Sequence, residues 1–215
     1  PPDTQSALGI DAPRTTRPIR INVETPDEIN EVFDGIAYEK TAGVLRMLEA
    51  FVGADAFRKG ISSYLKTYAY SNAAGEDFWR EMTRVTGQPI DRIMAGYVEQ
   101  AGAPVVAMQD RCVGTQTDTT LQQQRFVGIP GVKVASDQEW TIPVCLRAVD
   151  NPTPRCEVLD QRRETFRSPG CGALVANADA RGYYFTEYTP DAVRRVARAT
   201  SSLKPAERIS LLGDE

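Results

Sequence analysis

Phe33-Asp34-Gly35-Ile36-Ala37-Tyr38-Glu39-Lys40-Thr41-Ala42-Gly43-Val44-Leu45-Arg46-Met47-Leu48 is the segment around which the rest of this chain is arranged. Val44, Leu45 and Leu48, continued by Phe51 and Val52, recur at the three-and-four spacing that puts apolar side chains on one helical stripe. A stripe of that kind has to face a core. The turn-prone pair Asp34-Gly35 stands just before it, so Tyr38 is expected in the first turn of the helix, where the chain enters from a loop and a phenol can point into a cleft. Spacing alone equally allows Tyr38 a packing role, as for most helical tyrosines.

Upstream of this stretch, residues 1 to 13 hold Pro and Asp without periodicity and read as a loop or mobile leader. Residues 15 to 23 read as extended, with Ile19, Ile21 and Val23 on one side, and Arg17 reads as a solvated loop side chain. Thr25-Pro26-Asp27-Glu28 is a helix start: Thr25 can cap, Pro26 suits the first helical position, and Glu28 completes a capping box, giving a short helix to about Phe33. Downstream, Gly53 ends the tyrosine-bearing helix. A further helix is expected from Asp55 to Tyr68, with Phe57, Ile61, Tyr64, Leu65 and Tyr68 on its buried face. Tyr64, Tyr68 and Tyr70 lack the interleaved basic residues of a stacking platform for nucleic acid, so they read as core. Residues 72 to 79 open a helix with acidic residues near its positive end and Phe78, Trp79, Met82 and Val85 as its stripe. Gly87-Gln88-Pro89 breaks it, and a fifth helix runs from Ile90 to Gln100 before Ala101-Gly102-Ala103-Pro104.

At Pro104 the period changes from 3.6 to 2. Val106 and Met108 alternate with polar neighbours, and further strands are expected at 121–127, 140–146, 156–159, 164–166, 173–176 and 183–188. Short strands punctuated by Gly, Pro, Asn and Asp at this density read as an antiparallel β-sandwich. Thr189-Pro190-Asp191 repeats the cap, proline and acid pattern, predicting a helix to about Ala199, and Leu203-Lys204-Pro205-Ala206-Glu207 begins another. The fold class is α+β and multi-domain: a helical layer over residues 1–103, a sandwich over 104–188, and the opening of a second helical region over 189–215.

The 215 residues are 41% apolar and 25% charged, which fits a globular protein, and no apolar run is long enough for a membrane span. The formal net charge is -4; the first 103 residues carry 11 basic and 15 acidic side chains, so a nucleic-acid partner would lack its main electrostatic attraction. Histidine is absent, which removes any His-based metal site, Ser-His-Asp triad or Cys-His pair from within these residues. The four cysteines, Cys112, Cys145, Cys156 and Cys171, show no C-x-x-C spacing. An even count confined to the strand region points to two disulfides. Of the three connectivities, the expected one is Cys112 with Cys145 and Cys156 with Cys171, which would place the protein in the periplasm or outside the cell. Four free buried thiols in a cytoplasmic protein is the alternative.

Ala37-Tyr38-Glu39-Lys40-Thr41 resembles the tyrosine motif of the zinc aminopeptidases related to aminopeptidase N, with Thr41 where Gly is usual. Thr16-Arg17-Pro18-Ile19 ahead of it, Asn72-Ala73 followed by Asp77-Phe78-Trp79, and Gln100, Gly102 and Pro104 resemble the same family in the same order. So do Gln124-Arg125-Phe126, Trp140-Thr141-Ile142-Pro143 and Asn177 with Gly182-Tyr183-Tyr184, where Phe185 stands in place of the usual Arg.

The resemblance implies that residues 1–103 are the C-terminal helical part of a peptidase catalytic domain, 104–188 the β-domain after it, and 189–215 the first helices of a C-terminal α-helical domain. It also implies a zinc-dependent exopeptidase that removes N-terminal residues from peptides with a free N-terminus, Tyr38 being the catalytic residue that hydrogen-bonds the oxyanion of the tetrahedral intermediate. The family's H-E-x-x-H zinc motif and its Gly-x-Met-Glu-Asn strand are not among these 215 residues. Zinc is therefore expected in the longer enzyme and not on this segment, whose partner is the rest of the same polypeptide. The competing reading is a non-catalytic interaction scaffold that keeps a peptidase fold without zinc.

Overall fold

The computed structural model describes residues 2–128 and 136–214. Among them, six α-helices form the first half: α1 (Pro2–Asp11), α2 (Pro26–Glu31), α3 (Thr41–Val52), α4 (Ala54–Thr67), α5 (Gly75–Thr86) and α6 (Ile90–Glu99), with one π-helical turn, Ile36–Lys40, leading into α3. Seven described strands come next: β1 (Pro104–Val113), β2 (Gln116–Arg125), β3 (Ile142–Ala148), β4 (Arg155–Leu159), β5 (Arg163–Pro169), β6 (Leu174–Val175) and β7 (Phe185–Tyr188). Helices α7 (Pro190–Arg198) and α8 (Pro205–Asp214) close the described chain.

Local chemistry accounts for several of the helix ends. Thr25 caps α2 with its side chain accepting from the Glu28 amide, and the Glu28 carboxylate accepts from the Thr25 amide, the expected reciprocal box. Thr189 caps α7 by accepting from the Ala192 amide. Asp77 accepts from the Ala74 amide at the start of α5. Gly53, at a φ of 85°, stops α3 in a conformation that L side chains rarely adopt.

The strands make a sheet of order β5-β2-β1-β7 and a second of order β4-β3-β6. All described pairings are antiparallel except β1 with β7, which is parallel from Val105↔Phe185 to Met108↔Tyr188. The fold is α+β with a sandwich-like pair of sheets. Val44, Met47 and Leu48 of α3, Ile93 and Tyr97 of α6, Val106 and Leu121 of the larger sheet and Ile142 and Val144 of the smaller belong to one continuous apolar core, in which Trp140 and Tyr183 are fully buried. Gly43 lets α3 lie against Tyr183, because a Cβ there would come within 2.6 Å of the Tyr183 ring. Truncating Leu48 to Ala in such a core costs about 2–5 kcal/mol.

Two buried ion pairs fasten the ends of the chain to this core. Lys40 Nζ lies 2.9 Å from Asp11 Oδ2, both side chains wholly buried, joining α1 to the π turn. Arg147 on β3 grips Glu207 of α8 with two parallel bonds, Nε to Oε1 at 2.9 Å and Nη2 to Oε2 at 2.6 Å, and Glu207 also accepts from the Lys204 and Asp179 amides. Elsewhere, Arg195 of α7 reaches Asp110 of β1 with a forked contact at 2.5 and 2.7 Å.

The structure corrects several sequence expectations. Residues 2–11 are a helix, α1, that buries Ala7 and Leu8 and delivers Asp11 to Lys40; of the loop expected over residues 1–13, only the described residues beyond Asp11 are non-helical. Ile19 is half-buried but Ile21 and Val23 stay exposed, and the stretch joins no sheet among the described residues. On α4 only Gly60 is buried and Leu65 is exposed, so its expected face is half covered: Tyr64 meets Tyr68 and Phe78 with ring centroids 5.3 Å apart, while Tyr70 is fully exposed in a left-handed turn.

The cysteine pairing also differs. The bonds are Cys112–Cys171 and Cys145–Cys156, not Cys112 with Cys145 and Cys156 with Cys171. Strand register decides this: Cys145 and Cys156 are directly opposite on antiparallel β3 and β4. Cys112 and Cys171 come together because β5 ends at Pro169 opposite Gln116, beside the β1–β2 turn. The expected partners Cys112 and Cys145 lie in different sheets.

Candidate active-site segment

The candidate site is the π turn Ile36–Lys40, which carries Tyr38. Its two ends, Ile36 and Lys40, are buried, whereas Tyr38 between them is 61% exposed. A single π turn widens the helical spiral by one residue, a distortion that helices commonly retain at functional sites. Here it rotates Tyr38 out while keeping Lys40 in.

The inward anchor is polar. Lys40 Nζ binds Asp11 and donates to the Gln100 and Gly102 carbonyls at 3.3 and 3.1 Å. Asp11 in turn accepts from Thr16 Oγ1, the Gly102 amide and the Tyr183 hydroxyl. Burial holds the Lys40 ammonium below its ordinary pKa, against the opposing pull of the Asp11 carboxylate. Burial also pushes the surrounding phenols Tyr97, Tyr183 and Tyr184 up, so each stays neutral.

The start of the turn is set by Asp34. Its Oδ1 accepts from the Ile36 and Ala37 amides at 2.9 and 3.0 Å, and its carbonyl accepts from the Tyr38 amide at 3.1 Å. Arg17 holds the same Oδ1 at 2.7 Å and donates to the carbonyls of Pro18, Ile19 and Val32. It is thus a half-buried clamp and not the solvated side chain expected from sequence. Phe33 stacks on Tyr38 with centroids 6.2 Å apart and planes 28° apart, both rings largely exposed.

Sequence reasoning placed Tyr38 at the head of this helix but missed Asp11, Asp34 and Arg17 as the groups that hold it. Asp34 left a signal, since an Asp two and three residues ahead of helical amides is an N-terminal cap pattern. Asp11 and Arg17 left none, because their partners are distant in sequence. Among the described residues no cluster of three His, Cys, Asp or Glu side chains could hold a metal ion, and the four cysteines are consumed in disulfides. The described residues do not fit a zinc site.

The chain combines an α-helical layer with a sandwich-like pair of sheets, and its residues 2–97 match the peptidase family M1 domain. The chain belongs to that family. It is 34% identical to the tricorn protease-interacting factor F2 of Thermoplasma volcanium over 99% of this chain and 25% of that protein. It is 35% identical to a leucyl aminopeptidase of Saccharolobus solfataricus over 86% of this chain and 22% of that protein. It is 28% identical to the puromycin-sensitive aminopeptidase of Caenorhabditis elegans over 97% of this chain and 23% of that protein. The chain spans about a quarter of the length of these curated relatives. No described helix is long and apolar enough to cross a membrane.

Proposed function

We propose that this chain is the part of a zinc-dependent aminopeptidase that supplies the oxyanion-stabilising tyrosine, Tyr38, for removal of N-terminal residues from peptides. The observation that carries the reading is the split character of the π turn: a largely exposed phenol on a backbone pinned by Lys40 inside and by Asp34 at its start. A donor that stabilises developing charge has to be aimed before the charge appears, and a rigid carrier meets that need. The phenol donates to the oxygen that gains charge when the scissile carbonyl becomes tetrahedral.

The aminopeptidase names of several relatives support the substrate class. Zinc, the water-activating base and the group that holds the substrate amine belong to other parts of the longer polypeptide, because the described residues do not fit a zinc site. In this reading residues 1–103 end the catalytic domain, 104–188 form the sandwich after it and 189–215 open a helical domain. The two disulfides favour a periplasmic or extracellular setting.

The test is Tyr38→Phe in the full-length protein, assayed on alanyl and leucyl amides. Loss of the donor lowers kcat by about 10²–10³-fold with folding intact. Wild-type turnover by Tyr38→Phe refutes the assignment.

A further inference from the structure

Asp34 holds the backbone amide of Tyr38 and Arg17 holds Asp34, and the proposed reaction by itself gives neither a role. Resting on the aminopeptidase reading above, we infer that Asp34 is a positioning residue for Tyr38 and that Arg17 is the strut that fixes Asp34.

Asp34 meets the tyrosine turn through both its side chain and its backbone. Its carboxylate oxygen gathers the Ile36 and Ala37 amides, and its carbonyl takes the Tyr38 amide, so the three amides leading up to and including Tyr38 are all tied to one residue. The π turn has no side-chain cap of its own on Gly35, so Asp34 is what ends those amides' exposure. Asp34 itself lies on an exposed segment between α2 and the turn and would be mobile if held by nothing else.

Arg17 supplies the fixed point. Its guanidinium bonds Asp34 Oδ1 and the Val32 carbonyl on one side and the Pro18 and Ile19 carbonyls on the other. One residue further on, the Arg20 amide donates to the Val98 carbonyl of α6 at 3.0 Å. A continuous path thus runs from α6 through Arg17 and Asp34 to Tyr38. Lys40 fixes the far end of the same turn through the Gln100 and Gly102 carbonyls just after α6. Both ends of the tyrosine turn are therefore referenced to one helix, which is the geometry needed to hold a donor to within a fraction of an ångström.

A donor displaced by about 1 Å can lose about 100-fold in rate. Asp34→Ala is accordingly expected to lower kcat about 10- to 100-fold with KM near wild type, and Arg17→Ala to act in the same direction. Asp34→Asn keeps an oxygen for both amides and recovers most of the loss. In a Tyr38→Phe background neither alanine variant adds more than about threefold, because a strut has no effect once the group it aims is gone.

The experiment is this set of variants in the full-length enzyme, with zinc content and melting temperature measured beside kcat and KM. Full multiplication of the losses in the Tyr38→Phe background, or wild-type kcat for both alanine variants while Tyr38→Phe itself is impaired, overturns the positioning role. Wild-type turnover by Tyr38→Phe alone instead overturns the underlying function. Should Arg17→Ala fail to fold, Asp34→Asn and Arg17→Lys carry the comparison, since each retains part of the bonding and has to fall between the wild type and Asp34→Ala.

Discussion

Removing the Asp11 carboxylate should be among the most damaging single changes to the fold. Asp11 and Lys40 are both wholly buried, and the carboxylate accepts from Lys40 at 2.9 Å, Thr16 at 2.9 Å, the Gly102 amide at 3.2 Å and Tyr183 at 3.4 Å. Asp11→Ala leaves an ammonium ion in the core with only two carbonyls for partners and strands three further donors. Breaking a buried pair in this way costs about 3–5 kcal/mol, a large share of the roughly 5–15 kcal/mol that stabilises a domain. With a urea slope of about 2–3 kcal/mol/M, the unfolding midpoint falls by about 1–2.5 M. Equilibrium urea unfolding of the 215-residue chain, followed by tryptophan fluorescence and circular dichroism together, reads the shift. Replacing both partners, Asp11→Leu with Lys40→Met, should recover at least half of it, because no charge then remains buried. A midpoint change below about 0.3 M for Asp11→Ala would refute the claim that this pair anchors the tyrosine turn.

Acid stability, disulfide connectivity and metal content give three more tests. Glu207 is pushed up by burial, but the Arg147 guanidinium and the Lys204 and Asp179 amides outweigh that and hold it below its ordinary value of 4.5. Its contribution to stability is thus fully present above pH 4.5 and is lost as pH falls through the lowered folded value; Glu207→Gln should flatten this acid limb in pH-dependent unfolding. Peptide mapping without reduction should recover Cys112 linked to Cys171 and Cys145 linked to Cys156; fragments joining Cys112 to Cys145 would contradict the strand register. The 215-residue chain should hold no stoichiometric zinc after dialysis and turn over no aminoacyl amide, and metal analysis showing one tightly held equivalent would mean that the active site has been misplaced.

The parts legible in the sequence are those encoded locally. Caps such as Thr25 with Glu28 and Thr189 announce α2 and α7 because the partner is three residues away. Val106 and Met108 announce β1 because both side chains are buried in the core. What the sequence hid depends on contacts between distant segments. Helix α1 carries little apolar patterning and is held through Asp11, whose partner Lys40 lies beyond α2. The disulfide pairing comes from register, which no spacing reveals. Tyr38 was legible as a helix-entry residue able to point outward, but the π turn that carries it was not, because burying Lys40 and capping with Asp34 both depend on the fold around them.

Whether Tyr38 donates to an oxyanion and not to the ground-state substrate is read most directly from inhibitor affinity. The full-length enzyme and its Tyr38→Phe variant would be titrated with a phosphinic dipeptide analogue, whose tetrahedral anionic centre mimics the intermediate, and with a planar product-like dipeptide. Tyr38→Phe is expected to weaken the phosphinic analogue by about the same factor as it lowers kcat/KM, about 10²–10³, and to leave the planar ligand within about twofold. Equal affinity of both proteins for the phosphinic analogue would contradict the oxyanion role.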